Sequence, residues 1–150
     1  LSEADTLPVA RTIRHAHGAA EQVTLSYDAR FLRRKVLTTD AGARFLVDLV
    51  QTTSLNAGDA FVLEDGRLIG VEPAVEPLLE VSGPDLVRLA WHIGNRHTPC
   101  QIGSGALLIQ RDHVLRDMLE KLGATLREVT QPFTPEGGAY GHGRTHGHAH

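Results

Sequence analysis

Four histidines close the chain in the run Gly141-His142-Gly143-Arg144-Thr145-His146-Gly147-His148-Ala149-His150. The whole sequence holds only nine, so nearly half sit in a glycine-laced end that can bury no core. Neutral imidazole is the commonest protein ligand for nickel, zinc and copper, and the chemistry on offer is therefore metal coordination. In an extended segment, residues two apart face the same way at a spacing of about 6–7 Å. His146, His148 and His150 then share one side, and the glycine spacers let them turn inward around an ion.

The remaining candidates are scattered. In Trp91-His92-Ile93-Gly94-Asn95-Arg96-His97, Gly94-Asn95 can end a helix and place His97 on the loop just beyond it. His92 and His97 would stand about 140° apart around a helix, a poor arrangement for chelating one ion together. On spacing alone, either reads as an ordinary surface or hydrogen-bonded histidine. His113 falls on the polar side of a second helix with Asp117 one turn on, and reads equally as solvated or as a peripheral ligand. His15-Ala16-His17 is expected in a loop. Cys100 could lend a thiolate near His97 but reads first as a small buried strand residue. No His-Glu-x-x-His helix or comparable rigid three-ligand cluster with a general base is present, so a hydrolytic metal centre is not expected.

The elements that must carry these residues change character midway. Val23, Leu25 and Tyr27 alternate with polar residues, the period of a half-buried strand. Residues 33–39, 44–50, 60–64 and 67–71 are further expected strands, with turns at Asp40-Ala41-Gly42, Asn56-Ala57-Gly58-Asp59 and Asp65-Gly66. The last is a strong two-residue hairpin signal. No helix is expected before residue 84. Glu72-Pro73-Ala74-Val75-Glu76-Pro77 is the expected boundary, because its prolines confine the chain to extended conformations.

Beyond it, residues 78–81 read as a strand, and Ser82-Gly83-Pro84 starts a helix whose apolar face is Leu86, Leu89, Ala90 and Ile93. Residues 100–102 and 106–109 follow as strands. Asp112 can cap a second helix with the face Leu115, Met118, Leu119 and Leu122, stopped at Gly123. Residues 124–129 form the last strand. The order β-α-β-β-α-β is that of a ferredoxin-like domain. The expected organisation is a β-rich module over 1–73, a ferredoxin-like domain over 74–132 and a flexible Gly/His-rich tail over 133–150, an α+β chain overall.

Composition narrows the partners. A net charge of −3 and 5% aromatic residues offer neither a basic surface nor a stacking platform for nucleic acid. No apolar run approaches the roughly 20 residues of a membrane-spanning helix, and no export signal is visible. The single cysteine suits a reducing compartment, so a cytoplasmic protein is expected. A start at Leu1 rather than Met suggests that natural residues precede it.

Gly94-Asn95-Arg96-His97, preceded by an aromatic and a histidine, strongly resembles the signature of the urease accessory protein E (UreE) family. So do Asp112-His113-Val114-Leu115, Met118-Leu119, Leu122-Gly123-Ala124 and Phe133-Thr134-Pro135-Glu136-Gly137-Gly138-Ala139-Tyr140. Upstream, Asp28-Ala29-Arg30, Thr38-Thr39-Asp40-Ala41-Gly42, Gly58-Asp59 and Glu64-Asp65-Gly66 are similar to the same family's N-terminal pattern. Trp91, Ile93 and Arg111 depart from it, standing where tyrosine, leucine and in some members histidine occur. The resemblance implies a first domain like the peptide-binding domain of an Hsp40-type chaperone. It implies no enzymatic activity and a homodimer through the second domain, with His97 from each chain meeting at the interface around Ni(II). His146, His148 and His150 would complete the shell, with Zn(II) or Cu(II) as competitors. It further implies nickel delivery to the urease maturation GTPase and the urease apoprotein complex, and possible metal-linked association of dimers. Passive nickel or zinc storage, or a peptide-binding chaperone module, is the alternative.

Overall fold

The computed structural model describes residues 6–137, and these fall into two compact units that divide between Ala74 and Val75. The first unit is built from six strands: β1 (Val9–His15), β2 (Glu21–Leu25), β3 (Phe31–Thr38), β4 (Arg44–Ser54), β5 (Asp59–Leu63) and β6 (Leu68–Pro73). They form one sheet in the order β2-β6-β5-β1-β4-β3, in which β2–β6 and β1–β4 are parallel and the other pairs antiparallel.

This sheet curls so that its two edges meet. The turn after β3 donates Asp40 N–H to the Gln22 carbonyl on β2 at 2.9 Å, and Thr24 Oγ1 donates to the Asp40 carboxylate at 2.9 Å. Inside the curl lies Arg30, only 2% exposed, on a short 3-10 turn at Asp28–Arg30. Its guanidinium donates to the carbonyls of Leu25 (2.9 Å) and Leu55 (3.3 Å). A buried cation is tolerable only where such acceptors replace its water. The hydrophobic core of this unit gathers Val23, Leu25, Leu32, Phe45, Val47, Phe61, Ile69 and Val71.

Two details depart from the sequence reading. The Asp65-Gly66 hairpin has a three-residue loop: Gly66 N–H donates to Leu63 O and Leu63 N–H to Arg67 O, with Gly66 at φ +91°. That is a turn followed by a left-handed glycine rather than a two-residue turn. His15 belongs to a strand, β1, rather than a loop. A bulge between Ala10 and Thr12 shifts the register against β5, which breaks the alternation that would have disclosed the strand.

The second unit runs β7 (Val75–Ser82), α1 (Leu86–Asn95), β8 (Gln101–Ile102), β9 (Leu107–Gln110), α2 (His113–Lys121) and β10 (Thr125–Pro132). Its sheet has the order β10-β7-β9-β8, antiparallel throughout. Both prolines of the expected boundary lie in strands, Pro73 ending β6 and Pro77 within β7. The helix faces are as expected: Leu89 and Ile93 of α1 and Leu115 and Leu119 of α2 are buried, joined by Leu79, Val81, Leu107 and Ile109 of the sheet. Asp112 caps α2 by accepting from Val114 and Leu115 N–H. Asp85, not the Pro84 region, caps α1, accepting from Arg88 N–H. Each such cap contributes about 1 kcal/mol.

The expected tail begins as ordered chain. Phe133 is fully buried, Thr134 N–H donates to Gln101 Oε1 at 2.8 Å and Glu136 N–H to Cys100 O at 2.9 Å.

Candidate functional site

His97 owes its position to how α1 ends. Gly94 and Asn95 are the last two residues of the helix, as the sequence reading expects, and His97 follows just beyond it. The chain turns at His97 itself, which is at φ +57° and is the one residue other than glycine with positive φ among those described. His97 N–H donates to Gly94 O at 2.9 Å and Thr98 N–H to Ile93 O at 3.3 Å. These are the two hydrogen bonds of a Schellman terminus, with His97 at the left-handed position normally given to glycine. The left-handed region costs a residue with a Cβ roughly 1–2 kcal/mol. The imidazole is thus fixed at the tip of a helix by its own backbone, and it is exposed.

Next to it, α1 presents an apolar stripe to solvent. Val87 is 83% and Trp91 62% exposed, one turn apart. Gly94 continues the stripe, and a Cβ built there would meet no atom within 4 Å. Helical glycine costs about 1 kcal/mol relative to alanine, and nothing in its own chain requires the space. His92 is half-buried, its ring edge-on to Trp91 with centroids 5.0 Å apart.

Cys100 is half-buried beside the core of its unit. Burial, aided by the charge of Glu136, pushes its thiol up to about 11. A thiol so reluctant to ionise is a poor metal ligand near neutrality. Its carbonyl, by contrast, ties down Glu136 on the way to the C-terminal histidines.

His113 is the first residue of α2 and borders an open groove with Leu79, Arg111, Asp112 and Arg116. Arg111 donates to the carbonyls of Leu78 and Val129 at 3.1 Å, fastening β7 and β10. Asp117 pairs with Lys121 at 2.9 Å. The charges around His113 are mixed, because Arg111 and Arg116 both face Glu128 and Arg116 also pairs with Glu120.

His142, His146, His148 and His150 lie outside the described residues. Among the described residues, no three of His, Cys, Asp and Glu are gathered where they could hold a metal ion. The sequence did not disclose the open face at Gly94; a glycine inside a strong apolar period was its only trace. Nor did it tie Asp59 to His15, because that contact depends on the β1–β5 register.

Comparison with known proteins covers both units. The model for the UreE urease accessory protein N-terminal domain matches residues 4–74 and that for its C-terminal domain residues 76–150. The Urease accessory protein UreE of Ruegeria pomeroyi is 70% identical over 147 residues, covering 96% of this chain and 99% of the relative. That of a second Ruegeria species is 64% identical over 139 residues, 89% of this chain and 79% of the relative. The Cereibacter sphaeroides protein of the same name is 63% identical over 132 residues, with coverage of 88% and 72%. Two-domain matching and identity of this extent place the chain in the UreE urease accessory protein family, a family of accessory chaperones and not of enzymes.

Proposed function

We propose that this protein is a nickel metallochaperone for urease, with His97 as the fixed point of the metal site. The observation that carries the reading is the left-handed backbone at His97. A histidine in a place where glycine would be more stable is best explained by what its imidazole does.

One imidazole is a weak site, and two-fold pairing remedies that. The stripe of Val87, Trp91 and Gly94 leads along α1 to His97. A second copy covering this stripe would bury two exposed hydrophobic side chains, use the close approach that Gly94 permits, and bring the two His97 rings to one axis. The dimer is thus part of the proposal. The β-α-β-β-α-β order with sheet order β10-β7-β9-β8 supports a ferredoxin-like reading of this unit. The curled first unit is compatible with a peptide-binding chaperone module.

The tail then adjusts the site. Glu136 is fastened to Cys100, three residues from His97. From Glu136, His142 can reach about 20 Å and His150 about 50 Å, at 3.3–3.6 Å per residue. His146, His148 and His150 therefore lie within range of His97 of their own chain. They would complete the Ni(II) shell and hold further ions more weakly. Ligands on separate residues can leave one at a time, which suits handing Ni(II) to the urease maturation GTPase and the urease apoprotein complex. Imidazole does not by itself select nickel: Cu(II) should bind more tightly and Zn(II) should compete. Metal shared between dimers through the tails would give higher association. The lone cysteine is in keeping with a cytoplasmic setting.

Calorimetric Ni(II) titration of the full chain, of His97→Ala and of a chain ending at Gly141 tests this. His97→Ala should abolish the tightest event, near one ion per dimer, while truncation mainly lowers total stoichiometry. Retention of the tight event in His97→Ala refutes the site. Delivery is tested by activation of apo-urease. If the loaded protein gives no advantage over the same free Ni(II) concentration, it is a store and not a chaperone.

A further inference from the structure

The N-terminal unit carries a second pair of imidazoles. His15 ends β1 and pairs in register with Asp59, the first residue of β5. The next turn brings His17 back over it, so that the two rings stand edge to face with centroids 4.6 Å apart and planes at 88°. The turn is fixed, not incidental: Ala16 N–H donates to Gly58 O at 3.0 Å.

Gly58 makes room for both rings. A Cβ there would lie 2.9 Å from Cε1 of His15 and 2.9 Å from Cε1 of His17. The Asn56–Asp59 turn already asks for positive φ at Gly58, which is +90°. Asparagine commonly satisfies that demand as well, but here its Cβ would strike two imidazoles. Both contacts are with the far ends of exposed side chains that could swing aside, so the positive φ is what favours glycine, and its open side is where the two rings rest.

Asp59 stands beside the nearer ring. Its Oδ2 accepts from Asn56 N–H at 2.8 Å, which fixes the carboxylate, and its Oδ1 faces His15 Nδ1 at 3.7 Å. A carboxylate on the Nδ1 side favours the tautomer that leaves Nε2 as the free lone pair. His15 and His17 are both exposed, so neither ring is there to fill a core.

We propose that His15 and His17 form a second, exchangeable binding site for a borderline divalent cation of the copper, nickel and zinc class, with Asp59 as a positioning residue and water in the remaining places. Two imidazoles bound cis to one ion, at nitrogen–metal distances of about 2.0–2.1 Å, put their ring centres about 4.5 Å apart. The observed 4.6 Å already has that spacing, so binding needs only rotation of exposed rings. The site is independent of His97 and of the C-terminal histidines.

The test uses Cu(II), which imidazole sites hold most tightly among these ions and whose paramagnetism broadens nearby amide signals. In amide NMR spectra of the full chain, Cu(II) should broaden Ala16, Gly58 and Asp59. The same broadening should persist in His97→Ala, which separates this site from the nickel-chaperone reading. In a His15→Gln/His17→Gln double variant it should vanish, and Cu(II) stoichiometry should fall by one ion per chain. Signals that stay sharp to saturation in the unaltered chain overturn the proposal, as does equal broadening in the double variant.

Discussion

His97 and Gly123 occupy the same place at the ends of the two helices. Each is the left-handed residue of a Schellman terminus, at φ +57° and +87°. Gly123 N–H donates to Glu120 O and Ala124 N–H to Leu119 O, both at 3.0 Å, repeating the pair made by His97 and Thr98. One fold thus shows the position filled twice, once by the residue that stability favours and once by a histidine. The difference between them measures what the imidazole costs the chain.

That cost can be read directly. His97→Gly and His97→Ala both delete the ring, but only glycine relieves the left-handed backbone. His97→Gly should be more stable than His97→Ala by about 1 kcal/mol, and Gly123→Ala should be less stable than the unaltered chain by a similar amount. Denaturant midpoints at constant slope check both. Equal midpoints for the two His97 variants would show that the backbone there is unstrained.

Gly94→Ala separates folding from association. Alanine is the better helix former by about 1 kcal/mol, and its methyl group meets nothing within 4 Å in its own chain. At protein concentrations too low for dimers, the variant should be the more stable. If a second copy approaches over this stripe, the same methyl should weaken the dimer, measured by sedimentation across a concentration series. An unchanged dimerisation constant would move the interface elsewhere.

Much of this was legible in the residue order. The apolar faces of α1 and α2, the Asp112 cap and the Gly123 stop are set within one or two helical turns, where period and capping chemistry decide. What escaped depends on residues far apart in sequence. The strand β1 was hidden by its bulge, and the left-handed backbone at His97 had no signature, because Gly94 and not His97 is the residue type that advertises such a conformation. The His15–Asp59 contact exists only through strand pairing. Phe133 opens a stretch with no period to read, so its burial had no local signature.

Arg30 offers a test of how the first unit closes. Removing its guanidinium takes one donor from the carbonyls of Leu25 and Leu55, of which Leu25 keeps Ala74 N–H, in a site where water is excluded. Arg30→Ala should destabilise this unit by about 3 kcal/mol or more. Hydrogen exchange should then show protection lost across β2, β3 and β4 while α1 and α2 keep theirs. Loss spread evenly over both units would mean that they unfold as one.

Cys100 gives the pH prediction. Its thiol ionises near 11 instead of the ordinary 9.0, first because it is buried and second because Glu136 is negative. Two pH units mean about a hundredfold less thiolate at pH 8. Iodoacetamide should therefore label the native protein at pH 8 about a hundredfold more slowly than the denatured chain, since the thiolate is the nucleophile. The linkage sign follows from the raised value: the folded state holds this proton more tightly than the unfolded one. Its contribution to stability is complete below about pH 9 and is lost as pH climbs toward 11. Cys100→Ala should flatten that alkaline decline. A native labelling profile that levels off near pH 9 would show the thiol to be open to solvent, and Cys100 would return as a possible ligand three residues from His97.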